Sequence, residues 1–272
     1  MRNVARQAAH AVDPASRLAF RLRHKGTGAI PPNALRARVG SPGVGWPSIR
    51  SYLTHGRQAA CDVERILTHL GRPFFSDWQS VLDFGCGSGR VLRWLLPRRA
   101  ANQQVEGCDV DAAAINWAAA NFPEAHWTVS PYEPPLHYPA DAFELLYSVS
   151  VFSHFDSRLE ALWLREIHRI LRPGGKALLS THGEYAWESM KRGDIRHPIL
   201  GDEIREYDKL GDGAIFLPYY ATEAQTPGIG TGFGAAFHSE DHIRREWGAI
   251  FGAVEILPRA FNGWQDVAVV TR

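Results

Sequence analysis

The sequence has few cysteines and no long apolar run. Its three cysteines, Cys61, Cys86 and Cys108, are an odd number at scattered positions, which argues against a disulfide framework. They form no Cys-x-x-Cys pair of the kind that holds a structural metal ion. A reducing, cytoplasmic compartment is therefore expected. No uninterrupted run of about 18 apolar residues occurs, so no transmembrane helix or stable membrane insertion is expected.

The chain also lacks a large excess of charge. Its formal net charge is +1 over 272 residues, which gives no overall electrostatic reason to expect binding to nucleic acid. The N-terminus is the exception, because the first 40 residues hold eight basic residues and the single acid Asp13. We expect residues 1–47 to form a basic helical arm followed by an extended connector rich in proline and glycine, and residues 48–272 to form the main domain.

From residue 80 onward, short apolar strands alternate with helical segments. The predicted strands are 80–84, 104–109, 126–129, 143–149 and 176–181, and the predicted helices around them are 48–70, 90–96, 111–121, 159–171 and 239–249. This alternation predicts parallel strands joined by right-handed crossovers. Two closing strands near 254–258 and 266–271 finish the predicted sheet. Residues 184–237 break the rhythm and are expected to form a lid or substrate-specific insertion.

The most informative segment is VLDFGCGSGR at residues 81–90. A buried strand carries Asp83 near its end, and three glycines follow at alternate positions before a helix begins. Glycine allows a tight turn and a close approach of a ligand to the backbone, and the following helix N-terminus offers free N–H groups. The second strand ends at Asp109, 26 residues after Asp83. An acid at that place accepts hydrogen bonds from ribose hydroxyls in nucleotide-binding sheets.

The loop reads DxGxGxG, and Arg90 occupies the third glycine position of the dinucleotide fingerprint GxGxxG. This form resembles the first motif of the class I S-adenosylmethionine-dependent methyltransferases. Later segments resemble further motifs of that family, namely FELLYS at 143–148, VFSHF at 151–155, LRPGG at 171–175 and QDVAVV at 265–270. The resemblance implies an α/β fold with a Rossmann-like, seven-stranded, mostly parallel sheet whose last strand is antiparallel. Helices would cover both faces, beside the N-terminal helical arm and the lid insertion.

The same resemblance implies S-adenosyl-L-methionine as the cofactor. Asp83 would orient its methionine amino group, and Asp109 would hold its ribose hydroxyls. Ser148 would offer a backbone carbonyl to the ammonium group, while Tyr132 lies in a segment where the family usually has an acidic adenine contact. The predicted cofactor-binding residues are Asp83, Gly85, Cys86, Gly87, Gly89, Asp109, Val110, Tyr132 and Ser148.

Transfer of a methyl group from a sulfonium needs alignment in a dry pocket, and a hydroxyl acceptor also benefits from a general base. His154 and His182 follow the fourth and fifth predicted strands, at the edge where open α/β sheets bind ligands. They are the candidate catalytic residues, and a purely structural role is the alternative for each. Asp156 and Glu184 are candidates to orient an imidazole.

The sequence thus predicts a methyltransferase acting on a hydroxyl of a small molecule, sugar or secondary metabolite, with no nucleic-acid partner. N- or C-methylation of a small molecule and a non-catalytic cofactor-binding protein on the same fold remain alternatives. Arg90 weakens a third one, a nicotinamide-dependent oxidoreductase. No metal is expected, because no compact set of metal ligands is evident in the sequence. The one segment with several acidic residues and a histidine is predicted to be a solvated loop, and it contains Asp194, His197, Asp202 and Glu203.

Overall fold

The computed structural model describes residues 2–24, 28–43, 45–194, 204, 207, 210–218 and 233–272, with the backbone alone for residues 2–12. The helices are α1 (Arg2–Arg23), α2 (Asn33–Arg38), α3 (Trp46–His69), α4 (Leu92–Leu95), α5 (Ala112–Asn121), α6 (Ser157–Ile170), α7 (Glu184–Arg192), α8 (Glu240–His242) and α9 (Gly248–Phe251). The strands are β1 (Ser80–Phe84), β2 (Gln104–Asp109), β3 (His126–Val129), β4 (Phe143–Ser148), β5 (Leu171–Thr181), β6 (Ala214–Pro218), β7 (Gly234–His238), β8 (Val254–Phe261) and β9 (Gln265–Thr271).

Seven strands form one sheet in the order β3-β2-β1-β4-β5-β9-β8. Neighbours from β3 to β5 pair in parallel, and β9 pairs antiparallel with both β5 and β8. The strands are added on one side of β1 as far as β3, and β4 then lies on the other side of β1, still parallel to it. The carboxyl ends of β1, β2, β4 and β5 therefore meet at one edge, where such sheets bind ligands. The predicted fold class is confirmed.

Both faces of the sheet are buried. Val81 and Leu145 point into a core that includes residues of α3 and α4, whereas their neighbours Leu82 and Leu146 point into a second core with α6 and α9. Successive side chains of a strand point to opposite faces, so a strand that is covered on both sides is apolar throughout. This explains the apolar sequence of β1, whose five residues are all buried; the predicted bounds of the first three strands agree with β1, β2 and β3.

Most other predicted bounds differ from the structure by a few residues, and three differences have a clear cause. The predicted extended connector contains α2, which begins after Pro32, and the predicted helix at 90–96 is only α4 followed by a 3₁₀ turn that includes Pro97. Strand β5 begins at Leu171 rather than at 176. Its early start follows from pairing with β4 and with Arg272, since Leu171 lies opposite Phe143 and Gly174 N donates to the Arg272 carbonyl at 2.6 Å. The sequence close to residue 171 gives no indication of such a long-range partner.

Part of the N-terminal segment is fixed by one buried cation. The Arg36 side chain is 0% exposed and donates to Asp13 Oδ1 at 2.7 Å, to the Pro31 carbonyl at 2.6 Å and to Ser48 Oγ at 3.1 Å. A buried charge is tolerated when a counter-ion and hydrogen bonds replace its lost water. Arg36 therefore joins α1, α2 and the start of α3 into one packed unit.

Part of the predicted lid region lies within the described residues. It contains α7 and a two-stranded antiparallel hairpin of β6 and β7, which enclose a small separate core around Trp187 and Phe237. Residues 195–203 and 219–232 lie outside the described part, and with them His197, Asp202 and Glu203 of the predicted solvated loop. Within the described residues, none of the helices combines the length and the apolar character that a membrane span requires.

Candidate functional site

The loop after β1 turns three times through the left-handed backbone region. Gly85, Gly87 and Gly89 have φ values of 76°, 55° and 71°. Side chains with a Cβ rarely adopt such values, which explains the alternate glycines. The Cys108 carbonyl accepts from Gly85 N at 2.8 Å and from Cys86 N at 3.1 Å, so the loop is fixed to the end of β2.

Asp109 lies at the end of β2 and is held by the backbone of two loops. Its Oδ2 accepts from Gly87 N at 2.7 Å and its Oδ1 accepts from Asp111 N at 2.8 Å. Burial raises the pKa of Asp109 above its ordinary value, although these two amide hydrogen bonds oppose the rise. Each carboxylate oxygen has a second lone pair, so a bound ribose can still donate to this group.

Asp83 is buried beneath the glycine loop at 2% exposure. Tyr147, its register partner on β4, donates a hydrogen bond to Asp83 Oδ2 at 3.0 Å. Burial raises the pKa of Asp83 to about 8, the Tyr147 hydrogen bond opposes this, and the charge of Asp109 adds to it. Asp83 is therefore mostly protonated at neutral pH, and a cation brought to it would favour the ionised form.

The segment after α2 packs on the glycine loop. A Cβ at Gly87 would lie 3.5 Å from Val39 Cγ1, and Arg90 Nη1 donates to the Val39 carbonyl at 2.9 Å. Arg38 forms an ion pair with Asp111, which caps α5. The N-terminal segment therefore contacts both loops that carry predicted cofactor ligands.

The loop after β4 closes the other side of the glycine turn. A Cβ at Gly85 would lie 2.2 Å from Val151 Cγ2. The preceding residue, Ser150, has a φ of 58° and is held there by the Ser180 hydroxyl, which accepts from its N–H at 2.7 Å. Non-glycine residues in this backbone region are strained and cluster at functional sites. In the described part of the chain, the buried Ser148 hydroxyl has no hydrogen-bond partner.

His154 ends a 3₁₀ turn at Phe152–His154. Its Nδ1 lies 2.8 Å from the Gly234 carbonyl, which can only accept, so Nδ1 carries the proton and Nε2 is the basic nitrogen. Burial lowers the pKa of His154, against the opposing effect of this hydrogen bond. Its ring stacks on Phe233 at 4.7 Å. The imidazole is therefore neutral at neutral pH and fixed in one tautomer.

His182 lies in the same region, with its ring centroid 6.3 Å from that of His154. It is 2% exposed and stacks on Trp264 at 4.9 Å. Ser150 Oγ donates to Gln265 Oε1 at 3.1 Å, which leaves the Gln265 amide nitrogen as the donor toward His182 Nε2 at 3.2 Å. In this arrangement the lone pair of His182 Nε2 accepts from Gln265.

The remaining predicted residues lie at the periphery. Val110 and Tyr132 are half-buried, and Tyr132 packs against the core on the α6 face. Asp156 caps α6, and Glu184 lies in the first turn of α7. The sequence analysis did not predict a set of side chains that shape the two halves of the site: Val39, Tyr147, Ser150, Val151, Trp264 and Gln265. Of these residues, Gln265 could have been recognised from the sequence, because it is a polar residue at the start of an apolar strand.

Comparisons with known proteins point to one family. Residues 81–175 match the model of a methyltransferase domain. Over 102 residues the chain is 33% identical to a ribosomal protein L11 methyltransferase of Burkholderia ambifaria (strain MC40-6), covering 38% of this chain and 31% of that one. Over 136 residues it is 30% identical to a malonyl-[acyl-carrier protein] O-methyltransferase of Pseudescherichia vulneris, covering 48% and 49%. The chain thus spans a third to a half of the length of these relatives.

A solved structure shares the fold. It is a 1,6-didemethyltoxoflavin-N1-methyltransferase of Burkholderia thailandensis with bound 1,6-didemethyltoxoflavin and S-adenosylhomocysteine. It is 15% identical, with a TM-score of 0.50, and the superposition covers 88% of this chain and 87% of that one. The glycine loop and the strand order agree with the methyltransferase domain that residues 81–175 match.

Proposed function

We propose that this protein transfers a methyl group from S-adenosylmethionine to a hydroxyl oxygen of a small molecule or glycan, with His154 as the general base. One observation carries the choice of a hydroxyl acceptor. The His154 imidazole is half-buried, its pKa is lowered by desolvation, and its Nδ1 proton is held by the Gly234 carbonyl, which directs basicity to Nε2. An amine acceptor that reacts as its free base needs no such group, whereas a hydroxyl gains from one.

The residues at the edge of the sheet fit the cofactor. The left-handed turns of the glycine loop, the Asp109 carboxylate and the buried Ser148 hydroxyl are features that a bound adenosyl sulfonium would use. Asp109 would hold the ribose hydroxyls and Asp83 would face the methionine ammonium, while Gly85, Cys86, Gly87 and Gly89 line the loop. When bound, the cofactor supplies an electrophilic methyl group on a positively charged sulfur.

The chain's own residues would align and deprotonate the acceptor. Val151 packs on Gly85, so the loop that leads to His154 lies directly against the cofactor loop. Phe233 and Trp264 place apolar surface against His154 and His182, which excludes water from the two imidazoles. His154 Nε2 would take the acceptor proton as the oxygen attacks. Gly234 links this step to the hairpin of β6 and β7, since its carbonyl fixes the tautomer.

The acceptor class can be tested with a panel of compounds. The protein is incubated with S-adenosylmethionine that carries a labelled methyl group, together with phenols, sugars, amines and carbon acids. We expect label in hydroxyl compounds. Label confined to amines or to carbon acids would overturn the choice of oxygen. Absence of binding to both S-adenosylmethionine and S-adenosylhomocysteine in calorimetry would overturn the enzyme itself.

The base is tested with a matched pair of histidine variants. His154→Ala is expected to slow turnover of the best acceptor by roughly 10²- to 10⁴-fold. Its affinity for S-adenosylhomocysteine should stay unchanged. His126→Ala is the control, since His126 is exposed and is the first residue of the outer strand β3, at the end of that strand opposite to its carboxyl end. Full turnover by His154→Ala would show that the acceptor needs no base from this residue.

A further inference from the structure

A second cluster of titratable side chains lies outside the proposed cofactor and acceptor sites. Glu160, His238 and His242 are 3%, 2% and 8% exposed. One carboxylate oxygen and one nitrogen from each imidazole lie within 4.8 Å of one another. Three buried ligand-type residues from separate parts of the sequence are uncommon unless they share a proton or an ion.

The cluster is built by three rigid elements. Glu160 lies in the first turn of α6, His238 is the last residue of β7, and His242 is the last residue of α8. Between the two histidines, Ser239 caps α8 by accepting from His242 N at 3.1 Å. This capped turn directs two imidazoles four residues apart toward the same carboxylate.

Further partners orient the ligand atoms. The Nδ1 atom of His238 is hydrogen-bonded to the Thr181 hydroxyl, which leaves Nε2 to face Glu160 Oε2. His242 Nε2 lies 2.9 Å from Glu160 Oε1, and Trp247 Nε1 donates to the same oxygen at 3.0 Å. Metal-ligating histidines use their second nitrogen in this way, and the partner fixes the ring and its tautomer.

The buried carboxylate of Glu160 needs a positive charge close to it. Among the residues that the structure describes, Glu160 forms ion pairs with the two histidines and with no lysine or arginine. A buried carboxylate beside two neutral imidazoles would leave one net negative charge in an apolar core that contains Phe152 and Trp247. Either a proton shared by the histidines or a bound cation would offset that charge.

We propose that Glu160, His238 and His242 bind one divalent transition-metal ion of the zinc type. Two imidazole nitrogens and one carboxylate oxygen suit zinc, whereas magnesium and calcium prefer oxygen ligands throughout. The ion replaces the hydrogens that now lie between the carboxylate and the rings. A water molecule or another small ligand would complete its coordination.

The ion would act at a distance from the methyl-transfer site, by positioning. His238 N donates to the His182 carbonyl at 2.8 Å, and the same strand begins with Gly234, whose carbonyl holds His154 Nδ1. An ion at His238 would thus tie β7 to α6 and fix the hairpin that supports both histidines. It touches neither the proposed base nor the proposed cofactor residues.

Metal content is measured on the untagged protein in the absence of cofactor and acceptor. The protein is produced with added zinc, desalted and analysed by mass spectrometry for metals, and cobalt is then substituted to record its visible spectrum. We expect about one zinc ion per chain and a tetrahedral cobalt spectrum. Glu160→Gln and His242→Gln should each lower zinc affinity by at least roughly tenfold.

The control variant is His69→Gln. His69 Nε2 lies 2.6 Å from Glu255 Oε1 at the surface, so this pair has the same chemistry without the second imidazole and without burial. It should keep the zinc. Thr181→Val removes only the partner of His238 Nδ1, and is expected to weaken zinc binding while the fold, checked by circular dichroism, is kept.

Two results would overturn the metal site. One is folded wild-type protein that holds neither zinc nor cobalt, which would leave a shared proton as the source of neutrality. The other is zinc retained equally by His242→Gln or lost from His69→Gln, which would assign the metal to the surface. Neither result bears on the proposed methyl transfer, because its cofactor-binding test uses other residues.

Discussion

The two halves of the proposed active site are built in different ways. The cofactor half consists of the ends of β1 and β2, which are adjacent in the sheet and lie within one stretch of 30 residues, 80–109. The acceptor half joins the loops after β4 and β5 to the hairpin of β6 and β7 and to the start of β9. The first half presents backbone amides and carboxylates, whereas the second presents side chains.

The first half would therefore bind the cofactor, and the second half would bind and activate the acceptor. A backbone turn fixed by hydrogen bonds to Cys108 and Asp109 can hold the same cofactor whatever the acceptor is. The acceptor half depends on side chains such as Phe233, Trp264 and Gln265, which can vary without disturbing the glycine loop. Variants in the first half should therefore alter stability and cofactor affinity, and variants in the second should alter turnover.

The strongest test of how the halves meet is Gly85→Ala. Its φ of 76° and the contact with Val151 should together destabilise the protein by about 3 kcal/mol. In a Val151→Ala background the cost of adding Ala at position 85 should fall to about 1–2 kcal/mol, the backbone part alone. Gly174→Ala is the control, because it has a φ of 79° but no neighbouring atom within 4 Å. Denaturant unfolding measures the wild type, the two single variants, the double variant and the Gly174→Ala control; equal costs in both backgrounds would refute the contact.

Asp109→Ala tests the cofactor half alone. Loss of charge-assisted hydrogen bonds to the ribose should weaken S-adenosylhomocysteine binding by about 3 kcal/mol, which is roughly a hundredfold. Calorimetry measures the affinity, with exposed Glu124→Ala as the control acid. Unchanged affinity would remove Asp109 from the cofactor site.

Gln265→Leu tests the acceptor half alone. It removes the donor to His182 Nε2 and the acceptor of the Ser150 hydroxyl. The activation free energy should therefore rise by about 1.4 kcal/mol, which lowers turnover roughly tenfold, with cofactor affinity unchanged. The pH profile of turnover decides which histidine is the base. A profile that keeps its position supports His154, while a shifted profile would identify His182 as the titrating group.

The smallest expected effect is a proton linked to cofactor binding. Because the pKa of Asp83 is raised to about 8, the free protein holds a proton that a bound ammonium group would displace. Affinity for S-adenosylhomocysteine should therefore rise severalfold as the pH approaches about 8, with proton release detected by calorimetry in buffers of different ionisation enthalpy. Asp83→Asn should abolish the Asp83-linked part of that release. A wild-type protein without proton release would contradict the pairing.

The same carboxyl group also affects folding. Its folded pKa lies above the unfolded value of about 3.9, so the folded state binds the proton more tightly. Its contribution to stability consequently decreases as the pH rises from about 4 to about 8 and is constant above that. Thermal unfolding of wild-type protein and Asp83→Asn at several pH values separates this effect from cofactor binding.

Local sequence predicted the cofactor half because its determinants are local. Alternate glycines indicate left-handed turns, and the apolar strand before them indicates burial on both faces. Both features can be recognised without knowing which distant residues pack against them. The early start of β5 and the short α2 were missed because they depend on Arg272 and on the buried Arg36. The pairing of Gln265 with His182 links residues 83 positions apart, which no spacing rule reveals.

The sequence by itself thus predicted parallel strands, the glycine turn and the place of Asp109 at the end of the second strand, since these follow from backbone preference and apolar periodicity. The antiparallel last strand was implied by the resemblance to the methyltransferase family. Only the tertiary structure decided which nitrogen of His154 carries the proton, because that depends on a carbonyl of Gly234 from a different element. The same holds for Glu160, His238 and His242, which folding brings from α6, β7 and α8 into one buried cluster.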